Sequence, residues 1–440
     1  MTAGRWGFGL RDRRFVRCRL PLMASTTDDL SQIDIVSPEL WEEAVPHAEF
    51  AVLRAQSPVH WHSEPAPNKG FWAITRHEDV VTVSKHPALY SSGAGLTTLE
   101  EVEPEALEPR RSLIDTDAPD HQRLRRIVSP LFTPKAVAGF EAYARQTAGA
   151  LLDAALPRGA FDWVLDVAEP LPITVLINIL GAPPEDADRM IELSNQMIAI
   201  DDPDYAPDYS SLPPGVNPKH LPFGSPASYH VFEYGCKLGE ERRQHPQDDL
   251  VSRLVHAEVD GESLTDDEYC NMFQILILAG NETTRTTLTH GMQAFIDHPE
   301  QLELLVNDPS LMDSAVEEII RWATPVIYMR RTALEDVELR GQQIRKGDKV
   351  AMWYMSANRD ESVFANPYTF DITRQPNPHL GFGGGGPHFC LGAWLARLQI
   401  RVLFEEFLQR DVRLESAGPI RRVRSNFVNG VKSMPVRVAS

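Results

Sequence analysis

A mainly α-helical chain with small peripheral sheets is the fold class this sequence predicts. Most long segments carry apolar residues at helical spacing. The runs that read as strands are few and short. One segment, "SLTDDEYCNMFQILILAGNETTRTTLTHGMQAFIDHP", is apolar on nearly all faces of its middle. At about 30 residues and 1.5 Å per residue it makes a helix of roughly 45 Å, long enough to cross the core.

The elements follow in order. "SPELWEEAVPHAEFAVLRAQ" reads as one or two short helices capped by Ser37. "VHWHS" and "FWAIT" read as strands, and "HEDVVTVSKH" as a helix closed by Pro87. Residues 92–110 have no clear period and are expected to form a loop. "TPKAVAGFEAYARQTAGALLDAAL" predicts one long helix, with Thr133 as cap and Pro134 in the first turn. "EPLPITVLINILGAP" predicts an apolar helix ended by Gly181. Residues 201–228 hold seven prolines, and a connection this long inside a compact fold suggests a lid or binding loop. "LMDSAVEEIIRWATP" is a further helix, and short strands alternate around Arg340-Gly341 and Lys346-Gly347-Asp348.

The 440 residues contain no low-complexity linker, so residues 30–440 are expected to form one domain behind a flexible tail, 1–29. The first 23 residues carry six arginines and lack the apolar run of an export signal, and Met23 offers an alternative start. No window approaches the roughly 20 apolar residues of a membrane span. A net charge of −19 argues against bulk nucleic-acid binding. Cys18, Cys236, Cys270 and Cys390 show no close spacing, which suggests neither a disulfide framework nor a zinc site and fits a reducing cytoplasm.

Three stretches carry chemistry. In "GFGGGGPHFCLG", Cys390 follows a glycine run and precedes a helix whose apolar stripe includes Leu391, Trp394, Leu395, Leu398 and Val402. Amide donors at a helix start favour a thiolate; the plain alternative is an inert buried cysteine. In "AGNETT", residues 279–284, a cluster of poor core fillers suggests a break in the long helix, with a carboxylic acid and an alcohol placed to pass protons; the alternative is a kink made for packing. In "EEIIRW", Glu318 and Arg321 lie three apart on one face among apolar neighbours, as a buried structural pair would. His121, Arg125, Arg331 and His388 are either surface charge or, together, a set suited to a ligand with two carboxylates.

With these three signatures in this order, the chain resembles the cytochrome P450 family, in its soluble bacterial class, from about residue 30 to the end. The resemblance implies the P450 fold, a long central helix over haem b, and monooxygenase chemistry. It implies Cys390 as axial thiolate, Glu282 and Thr283 as the acid–alcohol proton relay, and Glu318–Arg321 as the scaffold pair. His121, Arg125, Arg331 and His388 would hold the haem propionates, and Phe382 would shield the cysteine. Phe382 stands eight residues before Cys390 where the common loop has seven, and Gly383 takes the usual place. That extra residue resembles actinobacterial P450s acting on sterol side chains and methyl-branched lipids, as do "RTALEDVELRG" and "PNPHLGFGG". A steroid, sterol or isoprenoid substrate follows as the expectation, against an apolar wall of Leu96, Ile275, Leu278, Ala279, Val326, Ile327 and Val428. No flavin or nicotinamide fingerprint is visible, so electrons are expected from a ferredoxin and its reductase, with the enzyme a monomer. Three alternatives stay open: a P450 acting on a polycyclic or aromatic natural-product intermediate, a peroxide-using haem enzyme, and a non-catalytic haem-thiolate sensor.

Overall fold

The computed structural model describes residues 29–66 and 68–439, so the expectations for the arginine-rich start, Cys18 and Met23 lie outside the described residues. Eight helices frame the molecule: α1 (Asp120–Val128), α2 (Glu141–Ala155), α3 (Pro170–Leu180), α4 (Ala187–Ile198), α5 (Pro226–Gln244), α6 (Asp266–Asp297), α7 (Met312–Ala323) and α8 (Ala393–Leu408). The largest sheet takes β1 (Val59–His62), β2 (Phe71–Ile74), β3 (Tyr90–Ser91), β4 (Tyr328–Ala333) and β5 (Lys349–Trp353) in the order β1-β2-β5-β4-β3. Only the β2–β5 pairing is parallel.

The long helix α6 has a built start. Thr265 Oγ1 accepts from the Glu268 amide at 3.2 Å, and Glu268 Oε2 accepts from the Thr265 amide at 2.8 Å. This reciprocal cap satisfies two end groups, and Asp266, Asp267 and Glu268 complement the helix dipole. The main apolar core gathers around α6, with α3 and α8 contributing Leu176, Ile177, Leu403 and Phe404. A second cluster, Trp41, Phe50, Phe71 and Trp353, lies under the sheet.

Four expectations are corrected. The predicted helix over 133–156 is two: Thr133 caps Pro134–Ala138, and Gly139–Phe140 separates it from α2. The Gly139 and Phe140 amides bond three residues back, to Ala136 and Val137, a tight turn favoured by glycine's poor helix propensity. Ser37 sits at its helix start, but its hydroxyl donates to Asp34 and caps no amide. The helix α6 is unbroken over 279–284. Gly280 serves packing there: a Cβ would come within 3.0 Å of Leu176 on α3.

The fourth correction concerns cysteine. Cys236 on α5 and Cys270 on α6 form a disulfide, with Cα atoms 5.3 Å apart. The helices approach this closely because Gly235 and Gly239 face Phe273 and Tyr269; a Cβ at Gly239 would lie 2.2 Å from the Tyr269 ring. Sequence spacing could not reveal a pair 34 residues apart that only helix packing brings together.

Candidate active site

The cysteine loop is shaped by glycines. Gly383, Gly385 and Gly386 have φ of 96°, 84° and 76°, the left-handed region that side chains resist. A Cβ on Gly386 would meet the Ser84 carbonyl at 2.5 Å. The Cys390 amide donates to the Phe382 carbonyl at 3.0 Å, closing the loop just before α8. Phe382 packs near Phe389, ring centroids 6.3 Å apart, and the Arg397 guanidinium lies 4.4 Å over its ring. The extra residue therefore leaves Phe382 covering the loop. Cys390 is the one free cysteine among the described residues. Burial pushes its thiol up, against the Gly392 amide and the charges of Arg125 and Arg397, so here desolvation outweighs the helix start. Trp394 leaves the apolar stripe and is exposed.

The cationic set converges. The His121 and His388 rings are 4.1 Å apart, and His388 Nε2 is 3.1 Å from the Ser92 hydroxyl. Arg125 donates to the Phe389 carbonyl at 2.5 Å, beside Cys390. Burial, then the charges of Arg331, His121 and Arg125, pushes His388 down to about 2. Arg331 is buried on β4, and His121 Nε2 is buried without a partner. Buried cations are expensive without anions. A flat group carrying two carboxylates, seated on Cys390, supplies both the anions and the missing partner; haem fits these residues.

On α6, Glu282 and Thr283 face different surroundings. The Thr283 hydroxyl donates to the Ala279 carbonyl at 2.7 Å, on the open side of the helix. Glu282 is fully buried, ion-paired with Arg285, and accepts from the Thr286 hydroxyl at 3.3 Å. No hydrogen bond joins Glu282 to Thr283 among the described residues. Gly430 makes room for the carboxylate: a Cβ there would lie 2.9 Å from Glu282 Oε1. Burial pushes the Glu282 carboxyl up, and Arg285 opposes the rise. Arg285 also pairs with Glu169 and donates to Asn195 Oδ1 at 2.8 Å, while Asn195 Nδ2 donates to Glu169 at 3.1 Å. Sequence reasoning missed these partners. The only local signal was an arginine three residues after the acid.

Glu318 and Arg321 on α7 are both fully buried and bonded through two contacts, 2.8 and 2.7 Å. Arg321 also donates to the carbonyls of Asn358, Pro367 and Thr369, and Glu318 accepts from Arg374, Asn377 and the Asp371 amide. The pair thus ties α7 to the strand-free stretch leading into the cysteine loop. Glu318→Ala leaves Arg321 buried without a counter-charge and is expected to cost about 3–5 kcal/mol. Thermal unfolding and haem content read the result; a wild-type melting curve would remove the pair from the scaffold.

A cleft opens beside α6, lined by Leu96, Met197, Pro222, Phe223, Ile275 and Leu278, with Thr98, Arg110, Asp115 and Gln274 adding polar groups. Leu96, Ile275 and Leu278 of the expected wall line it. Ala279 is exposed on the same helix. Ile327 is instead fully buried in the cluster under the sheet, and Val428 is buried in the main core. Val326 pairs with Val428 in an isolated bridge and is half-buried. Neighbours on an extended chain point to opposite sides, so Val326 and Ile327 cannot both face one cleft. The proline-rich connection supplies Pro222 and Phe223 and is anchored by Asp202 to Lys432.

Comparison with known proteins agrees with this geometry. The family model "Cytochrome P450" matches residues 305–411. A Mycobacterium marinum cytochrome P450 solved in complex with pseudoionone superposes with a TM-score of 0.83 at 39% identity, over 92% of this chain and 98% of the other. This chain belongs to the cytochrome P450 family. The P450 is also 42% identical to the methyl-branched lipid omega-hydroxylase of Mycobacterium tuberculosis, over 92% of this chain and 95% of that protein. It is 40% identical to the steroid C26-monooxygenase of Mycolicibacterium smegmatis, over 92% and 93%. The P450 is therefore a haem-thiolate monooxygenase with haem b as its cofactor. No helix among the described residues is long and apolar enough to cross a membrane.

Proposed function

We propose that this P450 hydroxylates a methyl-branched or steroidal lipid held in the cleft beside α6. The observation that carries this reading is the apolar wall of Leu96, Met197, Phe223, Ile275 and Leu278. Such a wall binds by area and shape. Ile275 lies eight residues before Thr283 on the same side of α6, about 12 Å along the helix axis, so a long substrate can rest in the cleft with one end at Thr283. The relatives named for branched lipids and steroids support the same class.

Haem, when bound, supplies the activation of dioxygen that lets one oxygen atom enter a C–H bond. Cys390 would hold its iron through the thiolate. His121, Arg125, Arg331 and His388 would hold its carboxylates, and Phe382 with Arg397 would cover the cysteine loop. Thr283 and Glu282 deliver protons, and Glu318–Arg321 fixes the scaffold. Residues 30–440 act as one domain, in a monomer of the cytoplasm. Electrons come from a ferredoxin and its reductase, docking where Phe389 and Trp394 are exposed beside the cysteine loop.

A type I spectral titration tests the substrate class. The panel is a methyl-branched fatty acid, a 3-oxo steroid, pseudoionone and a planar polycyclic aromatic. The branched lipid or the steroid is expected to bind at least about 10-fold tighter than the aromatic, a difference of about 1.4 kcal/mol. Leu278→Trp, which fills the cleft, is expected to abolish the shift. Tightest binding of the aromatic would reverse the assignment.

A further inference from the structure

The segment after β3 forms one wall of the cleft and brings two open polar atoms to it. Thr98 Oγ1 and Arg110 Nε are buried and have no hydrogen-bond partner among the described residues. Arg110 is only 4% exposed. The neighbouring polar side chains of the cleft are already engaged. Asp115 accepts from the Thr97 amide and hydroxyl at 3.0 and 2.9 Å and from the Ser112 hydroxyl at 2.7 Å. Gln274 Nε2 donates to the Ser228 carbonyl at 2.6 Å. Buried polar atoms are normally paired, so two open ones lining one cleft imply a partner that arrives with the ligand.

The charge around Arg110 decides the nature of that partner. Its Nη1 and Nη2 donate to the two carboxylate oxygens of Glu100 at 2.9 and 2.5 Å. The guanidinium charge is therefore already matched, and Asp115 brings a second carboxyl to the same lining. A ligand carboxylate at Nε would be a further anion on one cation, and it would lose its hydration for little return. An uncharged oxygen accepts from Nε–H without that cost, and the Thr98 hydroxyl can donate to it as well. The wall is also held in place beforehand. The Arg330 amide donates to the Thr97 carbonyl at 2.7 Å, and Arg330 Nη1 donates to the Glu100 carbonyl at 3.0 Å. The Leu99 amide donates to the Tyr328 hydroxyl at 3.2 Å. Arg330 and Tyr328 both belong to β4, so a ligand does not have to order this segment in order to bind.

We propose that Thr98 and Arg110 form a subsite for an uncharged oxygen of the lipid substrate, a ketone, hydroxyl or ester carbonyl, and that the Glu100–Arg110 pair keeps a free carboxylate out of it. The proposal rests on the reading of the cleft as the lipid site, and it narrows the substrate class. A 3-oxo or 3-hydroxy steroid fits, and so does a branched lipid whose carboxyl is esterified; the free branched acid does not. With its oxygen held, the ligand lays its carbon body along Leu96, Ile275 and Leu278.

The test is type I spectral titration of the haem-loaded enzyme with matched ligands. These are a 3-oxo steroid with its 3-deoxy analogue, and an ionised methyl-branched fatty acid with its methyl ester and parent alkane. Thr98→Val removes the hydroxyl at constant shape. Arg110→Lys keeps a charge for Glu100 and removes Nε–H. Glu100→Gln strips the guanidinium of its counter-charge. Affinity ratios within a matched set, compared between wild type and variant, cancel the stronger partitioning of the more apolar member. Thr98→Val and Arg110→Lys are each expected to lower the preference for the oxygenated member about 10-fold, the worth of one hydrogen bond. A loss confined to the steroid pair assigns the subsite to a steroid, and a loss confined to the ester assigns it to a branched-lipid ester. Glu100→Gln is expected to raise the affinity of the acid relative to its ester about 10-fold, a gain that a merely structural pair would not produce. If Arg110→Lys does not fold, Thr98→Val and Glu100→Gln carry the test. Wild-type oxygen preferences in the Thr98 and Arg110 variants overturn the subsite, and a wild-type acid-to-ester ratio in Glu100→Gln overturns the exclusion of carboxylates. The cleft itself fails by a different result: a Leu278→Trp protein with the full shift for steroid and ester removes the lipid from the cleft, and the subsite with it.

Discussion

Cys390→Ser is expected to abolish product formation and remove the long-wavelength absorbance of the reduced carbon-monoxide complex. The thiolate donates electron density to iron and favours O–O cleavage; a serine alcohol does neither well. The loop itself should persist, because its geometry depends on main chain: the Cys390 amide bonds the Phe382 carbonyl, and the three left-handed glycines set the turns. The Gly392 amide faces the sulfur, and a serine oxygen can accept from the same donor. The comparison is therefore between two proteins of the same fold that differ at one ligand atom. Burial pushes the free thiol up, so the thiolate is formed by metal binding and not by the loop alone. A C390S protein that keeps the long-wavelength band would show that another residue holds the iron.

Local chemistry was legible in the sequence, and chain-to-chain meetings were not. The glycine loop and the Glu318–Arg321 spacing are local features, and each stands in the structure where its residues placed it. The cleft residues on α6, Ile275 and Leu278, came from the family resemblance, and their spacing of three keeps them on one face of the helix. Ile327 was misplaced because an extended stretch reverses direction at every residue and one apolar run does not reveal which half faces inward. Gly280 read as a helix breaker because its packing partner, Leu176, lies on another helix. The disulfide and the Glu169–Asn195–Arg285 network depend on helices distant in sequence coming together, and no spacing rule reports that. The burial of Glu282, which turns a simple acid into a guarded one, belongs to the same class.

Thr283→Ala is expected to separate electron use from product formation. Alanine has the best helix propensity, and the Ala279 carbonyl that loses the threonine hydroxyl keeps its place within an unbroken α6. Folding and substrate binding should therefore change little. What is lost is the one hydroxyl on this turn that faces the open side of the helix. Without it, protons arrive in the wrong place, and dioxygen is reduced by two electrons to hydrogen peroxide instead of being inserted. Placed proton donors contribute about 10²–10⁴ in rate, so product per electron should fall by a large factor while peroxide rises in proportion. Glu282→Gln should differ in kind. It removes the acid but keeps its shape, so oxygen consumption itself should slow, with peroxide near the wild-type share. It also leaves Arg285 with Glu169 as its remaining carboxylate partner, so part of any loss could come from the fold; the melting curve of E282Q separates the two. Two distinct outcomes, misdirected protons in one variant and scarce protons in the other, are what an acid behind an alcohol requires. A haem-thiolate sensor has no use for either residue, and a T283A protein with unchanged product yield per electron would remove the relay from this P450.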